Sequence, residues 1–197
     1  MTLRFSVAAA ALRETRRRRY RPRSVAVLMV AESPPASGRF FCGADSASCR
    51  AVRDVFTAEY PPSDDQSFLE SFRDSGWYLV DLCRTPVYHL TPRERRQAQH
   101  EAVPGLARTI RRLRPGAVVL VVRMVGPSVR RALQLAEWTG LHCELPYPGR
   151  WAIARRECAK GFHVVLRALP RLTAREVLAR SDSERSRPDQ GHDDHGC

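Results

Sequence analysis

A chain of 197 residues, 33 of them lysine or arginine and 21 aspartate or glutamate, can form one domain with a sizeable core and carries a net charge of +12. Its apolar runs all fall short of the roughly 18 residues of a membrane span, and its six cysteines are too widely spaced for a small disulfide scaffold. We expect reduced thiols and a cytoplasmic protein, because the N-terminal apolar stretch is followed rather than preceded by arginines, which is the wrong order for a secretory signal. We also expect a monomer with no membrane contact.

The positive charge comes almost entirely from arginine, because Lys160 is the only lysine. Arginine pairs with phosphate through its planar, forked guanidinium, so DNA or another nucleic acid is the expected partner. A genome rich in G and C would equally account for the shortage of lysine. It would not produce an excess of positive over negative charge.

The first feature along the chain is a charge cluster over residues 13–23, RETRRRRYRPR. It is either a solvated face or a phosphate-binding arm, and we assign residues 1–23 to a basic N-terminal arm. Four apolar runs follow, and these are Val25–Ala31, Trp77–Cys83, Ala117–Val122 and the weaker Leu141–Pro146. Since they lack the alternation of half-exposed strands, they predict strands buried on both faces, and therefore a parallel sheet.

Helical patterns separate these predicted strands. Ser67–Glu70 and Thr91–Glu94 both fit the S/T-x-x-E capping box. Apolar residues then follow helical spacing over 103–113, where Pro104 is expected to break the helix, and again over 129–136. Strand alternating with helix predicts a three-layer α/β/α fold around a central four-stranded, mainly parallel sheet.

The α/β domain is expected to span residues 24–180. From Ser181 onward the sequence SDSERSRPDQGHDDHGC has no apolar periodicity, which predicts a disordered tail over 181–197. The H-D-D-H segment at 192–195 either binds a metal weakly or is simply solvated.

Ligands of open α/β sheets bind beyond the carboxyl ends of the strands. The first predicted strand runs into AESPPASGRFF, which places Glu32 at the mouth of such a crevice and offers Phe40 and Phe41 as a flat surface. The second strand leads to Asp81, and the fourth leads into PYPGRW, residues 146–151. Three loops should therefore converge on one crevice that holds two carboxylates and an aromatic surface.

These segments resemble motifs of the uracil-DNA glycosylase superfamily, over a stretch running from Val25 to Leu169. AESPP resembles the first motif, G-E-A-P-G, with Glu32 on the acidic position of the iron–sulfur branch. YLVDLCRTP resembles T-N-x-x-K-C-R-P-P, with Asp81 on the asparagine position. YPG resembles the final H-P-S, with Tyr147 on the histidine position.

The resemblance implies hydrolysis of the N-glycosidic bond of a flipped nucleotide, through a sugar cation and a departing base anion. Glu32 would stabilise the cation or position water. The flipped base would be held by Ser33, Pro34, Phe40 and Phe41, with Phe41 preferred over Phe40, although either ring could instead belong to the core.

The superfamily also inserts a side chain into the duplex just after its final motif, as apolar wedges do in other DNA-binding proteins. The implied DNA contacts are Arg39, Gly149, Arg150, Trp151, Arg155 and Arg156. The alternative for Trp151 is an ordinary helix-packing role.

The chain departs from the superfamily in ways that bear on chemistry. An iron–sulfur cluster needs four thiolates, whereas no cysteine precedes Cys42 and Ala98 stands near a later ligand position. We therefore expect no cofactor and no metal, with Cys83 a buried thiol. Tyr147 cannot carry a positive charge as histidine does. An ionised Asp81 accepts hydrogen bonds without donating any, which disfavours uracil, unless Asp81 merely caps its strand.

The leading hypothesis is a DNA-repair-type glycosylase that excises uracil or another deaminated base. One alternative is a catalytically inactive nucleic-acid-binding protein of the same fold. The other is a small-molecule nucleotide hydrolase, which would need neither the arginine excess nor a wedge. The sequence has no Walker P-loop, G-x-G-x-x-G, G-x-S-x-G or H-E-x-x-H motif.

Overall fold

The computed structural model describes residues 7–35, 41–43, 46–59, 67–147 and 151–185. Their helices are α1 (Val7–Arg19), α2 (Ala47–Glu59), α3 (Phe68–Asp74), α4 (Pro92–Leu113), α5 (Gly126–Leu135) and α6 (Ala152–Arg185). Their strands are β1 (Val27–Ala31), β2 (Trp77–Asp81), β3 (Ala117–Leu120) and β4 (Leu141–Glu144). Within this part of the chain, none of the helices is long and apolar enough to cross a membrane.

The four strands form one parallel sheet in the order β2-β1-β3-β4. In the register of the sheet, Ala31 of β1 lies opposite Asp81 of β2, and Val30 lies opposite Leu120 of β3. The predicted three-layer α/β fold with a four-stranded parallel sheet is confirmed. The carboxyl ends of all four strands consequently lie along one edge.

Each face of the sheet contributes to a separate core. Leu28 and Val30 of β1 face α4 and α5, and they share one core with Val103 of α4 and Val129 of α5. The alternate residues of β1 face the other way, into a core built from α2, α3 and α6, where Phe56 is fully buried. Because every fully buried aliphatic side chain contributes about 1.5–3 kcal/mol, two such cores hold the strand ends in a fixed arrangement.

Both predicted capping boxes are present and set the starts of α3 and α4. Ser67 Oγ accepts a hydrogen bond from the Glu70 amide at 3.3 Å, and Thr91 Oγ1 accepts one from the Glu94 amide at 3.3 Å. In return the Glu94 carboxylate accepts from the Thr91 amide at 2.8 Å. The second box fixes where α4 begins, and α4 carries side chains that reach the site described below.

The predicted break at Pro104 is wrong, because α4 continues unbroken from Pro92 to Leu113. Proline removes one backbone hydrogen bond and costs about 3 kcal/mol inside a helix. Val103, Leu106 and Ile110 lie on both sides of the proline and are buried against the sheet, and their burial outweighs that cost.

The first and last segments that the structure describes contain helix where the sequence pattern predicted none. Helix α1 occupies much of the segment assigned to a basic arm, and Tyr20 just after it packs against the sheet core. At the other end α6 includes residues 181–185, which were predicted to be disordered, because extending an existing helix costs far less than starting one. The remainder of the predicted tail, residues 186–197 with the H-D-D-H segment, lies outside the described residues.

Candidate functional site

A cavity of about 1040 Å³ lies at the carboxyl edge of the sheet. Its lining includes residues at or just after the ends of the strands, and these are Ala31, Glu32, Asp81, Val121, Val122 and Tyr147. The floor is apolar, with Met29, Val52 and Leu79 contributing side chains from the sheet and α2. The predicted convergence of strand-end loops on one crevice is therefore present.

Helix α1 supplies a charged wall of the cavity that was not predicted from the sequence. Arg13, Glu14, Arg17 and Arg18 all line the cavity. Within the helix, Glu14 forms ion pairs with both Arg17 and Arg18, and the Arg18 Nε to Glu14 Oε1 distance is 2.9 Å. The basic segment thus belongs to the site.

Glu32 lies in the wall of the cavity on the α4 side and is 9% exposed, so its predicted position at the mouth is wrong. Arg95 pairs with both oxygens of its carboxylate through Nε and Nη2, and Gln99 Nε2 donates a hydrogen bond to Oε1 at 2.7 Å. These partners stand one turn apart on α4. They bury the carboxylate, fix its orientation and offset part of its charge.

Asp81 ends β2 and reaches the cavity from the opposite side. Burial raises the pKa of its carboxyl to about 6, and the positive charges of Arg17 and Arg13 act against that rise. Within the described residues its carboxylate has no hydrogen-bond partner. Near pH 6 the protein therefore contains both the ionised and the protonated form of Asp81.

The two carboxylates approach the cavity from different faces of the sheet. Asp81 is the register partner of Ala31, so its side chain points to the same face as that of Ala31. Glu32, one residue further, contacts α4 on the other face. The main chains stay joined past the strands, since the Cys83 amide donates to the Glu32 carbonyl at 2.8 Å. The cavity thus spans the top edge of the sheet.

Aromatic rings line the cavity both in its interior and towards solvent. Phe41 contributes to the wall but is buried, with its ring centroid 5.3 Å from Phe72 and 6.1 Å from Phe68. Tyr147 and Tyr88 also line the cavity and are 42% and 56% exposed. Tyr88 was not among the predicted residues, although it lies in the loop that follows Asp81.

The remaining predicted residues fall into three groups. Ser33 and Pro34 line the cavity, and Ser33 Oγ accepts a hydrogen bond from the Val87 amide at 3.4 Å, which ties two loops together. Trp151 is 69% exposed at the start of α6, so it does not pack into the core, and it is not a lining residue. Arg155 and Arg156 are exposed on the same helix. Four residues lie outside the described ones, and these are Arg39, Phe40, Gly149 and Arg150.

The thiols near the site are buried or half-buried and remain protonated at neutral pH. Burial raises the pKa of Cys42, which lines the cavity, to about 12, and raises that of Cys83 to about 11. The prediction that Cys83 is a buried thiol is confirmed. Within the described ranges, no group of three or more histidine, cysteine, aspartate or glutamate residues is arranged to hold a metal ion.

No protein-family model matches this sequence, and comparison with curated proteins finds no match. The resemblance to the uracil-DNA glycosylase superfamily therefore rests on the order of three short motifs, and it stays a prediction. The cavity, the Glu32 and Asp81 carboxylates that line it and its arginine wall are properties of this chain, whatever its family.

Proposed function

We propose that the protein hydrolyses the N-glycosidic bond of one nucleotide, which a nucleic acid strand delivers into the cavity. The observation that carries this proposal is the pair of carboxylates, Glu32 and Asp81, at the ends of neighbouring strands inside a cavity walled by arginines. A volume of about 1040 Å³ is at the upper end of the roughly 300–1,000 Å³ typical of ligand pockets.

The composition of the walls supports a nucleotide as the ligand. Among the described residues, five arginines and three carboxylates line the cavity, so this part of its walls carries a net positive charge above an apolar floor. A nucleotide has the complementary character, with a flat base that benefits from leaving water and a phosphate that pairs with guanidinium groups.

Glu32 would act on the sugar. As the glycosidic bond breaks, positive charge develops on the sugar ring, and a carboxylate already held in place stabilises it without reorganising. Arg95 and Gln99 hold Glu32 in this way. Its two oxygens retain further lone pairs, so the same group can orient the attacking water.

Asp81 would read the base. A protonated carboxyl offers one O–H donor and one carbonyl acceptor, as an asparagine amide does, and this pair matches the N3–H and O4 groups of uracil. The ionised form offers acceptors only and repels O4. Since burial raises the pKa of Asp81 to about 6, uracil should be accepted in mildly acidic solution and disfavoured above neutral pH. Tyr147 can donate a hydrogen bond to the departing base.

A second candidate function is nucleic-acid binding without hydrolysis. Arg95 offsets charge that Glu32 would need for catalysis, and Tyr147 supplies no cation at the position where the superfamily has histidine. Both observations favour a binding protein.

Excision from labelled oligonucleotides distinguishes the two functions. We expect DNA that carries uracil to yield abasic sites, revealed as strand breaks after alkali, with more product at about pH 5.5 than at about pH 8 because Asp81 must be protonated. Hypoxanthine, xanthine and mismatched thymine serve as competing substrates. If the folded protein binds all four DNAs and yields no abasic sites at either pH, the binding function is correct.

A further inference from the structure

Two arginines of α1 stand one helical turn apart on the side facing the cavity. Arg13 and Arg17 both line it, and residues at this spacing lie about 6 Å apart along a helix. Arg18 also lines the cavity but is 74% exposed and paired with Glu14. Arg13 and Arg17 are each half-buried. Their guanidinium groups are thus presented inward on one face.

The charges on these arginines are not fully offset by the protein. The positive charges of both arginines act to lower the pKa of the Asp81 carboxyl, so both lie on the side of the cavity where Asp81 is. No hydrogen bond joins either of them to Asp81, and Arg13 has no ion pair within the described part of the chain. Arg17 pairs with Glu14, which itself is shared with Arg18. Arg84, from the loop after β2, adds another exposed positive charge to the lining.

We propose that Arg13 and Arg17 hold one phosphate group of the bound nucleic acid, the phosphate next to the nucleotide that enters the cavity. Two guanidinium groups one turn apart can each donate paired hydrogen bonds to phosphate oxygens. This inference rests on the proposed function for the identity of the ligand, but it concerns binding and not hydrolysis. It assigns α1 a specific contact, beyond the diffuse attraction of a basic surface.

The test measures binding by the full chain to a short single-stranded DNA with one central 2′-fluoro-2′-deoxyuridine, whose glycosidic bond resists hydrolysis. In two further probes, the phosphate on one or the other side of this nucleotide is replaced by an uncharged methylphosphonate. The test variant is Arg13→Gln/Arg17→Gln. The matched control, Arg21→Gln/Arg23→Gln, removes the same charge from exposed residues of the same segment that do not line the cavity.

For the wild type, one of the two methylphosphonates should weaken binding at least tenfold. The test variant should bind the unmodified probe at least tenfold more weakly and should no longer distinguish the probes, whereas the control should still distinguish them. The proposal is overturned if the wild type binds all probes equally, or if both variants keep the discrimination. Failure of the hydrolysis assay with discrimination intact would instead remove the proposed function and leave this phosphate site standing.

Discussion

Replacing Asp81 with asparagine should stabilise the fold by about 3 kcal/mol at neutral pH and change little below about pH 4. Burial raises the pKa of Asp81 from 3.8 to about 6 in the folded protein. Between pH 3.8 and about pH 6, Asp81 stays more protonated in the folded state than in the unfolded state. The free energy of unfolding of the wild type therefore falls as pH rises through this range. A pKa difference is worth about 1.4 kcal/mol per unit, which gives the order of magnitude. Asparagine carries no charge, so the variant does not lose stability through burial of an ionised group.

Urea unfolding of the wild type and of Asp81→Asn at several pH values measures this effect. The two stability curves should meet near pH 4 and separate up to about pH 6.5, above which their difference should stay constant. Equal stability at all pH values would mean that the folded site does not disfavour the ionised form. The same variant carries a permanent donor and acceptor, so its uracil excision should no longer fall between mildly acidic and neutral pH.

Replacing Glu32 with glutamine should lower base release by at least about 10²-fold, the usual cost of losing one preorganised electrostatic group. It should also destabilise the fold, because Arg95 would lose its carboxylate partner while half-buried. Removing one member of a buried ion pair costs about 3–5 kcal/mol, and partial exposure of Arg95 should reduce the loss to about 2–3 kcal/mol. Glu32→Gln is therefore expected to lower the stability of the fold as well as to remove a charge from the site.

Arg95→Gln is the matched control for this prediction. It breaks the same ion pair and should lower stability by a similar amount, but it leaves the carboxylate in the cavity. Rates per folded molecule, measured below the unfolding temperatures of both variants, separate the two effects. Base release per folded molecule should fall less in Arg95→Gln, where Gln99 can still hold the carboxylate, than in Glu32→Gln, where the charge is gone. Equal loss in both variants would mean that the charge of Glu32 contributes nothing to base release beyond its pairing with Arg95.

The sheet could be predicted from sequence because its signals are local. Val27–Ala31 and Ala117–Leu120 are apolar without alternation, which is typical of strands covered on both faces. Likewise, Ser67 and Thr91 mark the starts of α3 and α4 through interactions with residues three positions away. The position of Asp81 at the end of β2 could be predicted from the same kind of apolar run.

The partners of the site residues could not be predicted, because they come from distant parts of the chain. Glu32 and Arg95 are 63 positions apart, and nothing local to either residue indicates that α4 directs Arg95 towards β1. The sequence consequently placed Glu32 at the mouth of the crevice and did not indicate that Arg95 and Gln99 hold it. Its burial depends on how α4 crosses the sheet, a property of the whole fold.

Helix α1 could be predicted from the sequence in part: its helical structure has a local signal, but its contact with the cavity does not. The segment Val7–Arg19 contains an alanine run and a Glu14–Arg18 pair at a spacing that stabilises helices. This local signal was sufficient to predict a helix, but the charge cluster over residues 13–23 led to the assignment of residues 1–23 as a basic arm. Contact with the cavity depends on tertiary packing and could not be read from the segment itself.

Mass-spectrometric detection of free base tests the central claim most directly, since it requires neither alkali nor a strand break. Uracil-containing DNA is incubated with the wild type, Glu32→Gln and Arg95→Gln at about pH 5.5, near the pKa of Asp81. We predict free uracil in molar excess over the wild-type protein, with much less released by Glu32→Gln than by Arg95→Gln. Absence of free base from wild-type protein that is folded and bound to the DNA would contradict the claim that this cavity hydrolyses a glycosidic bond.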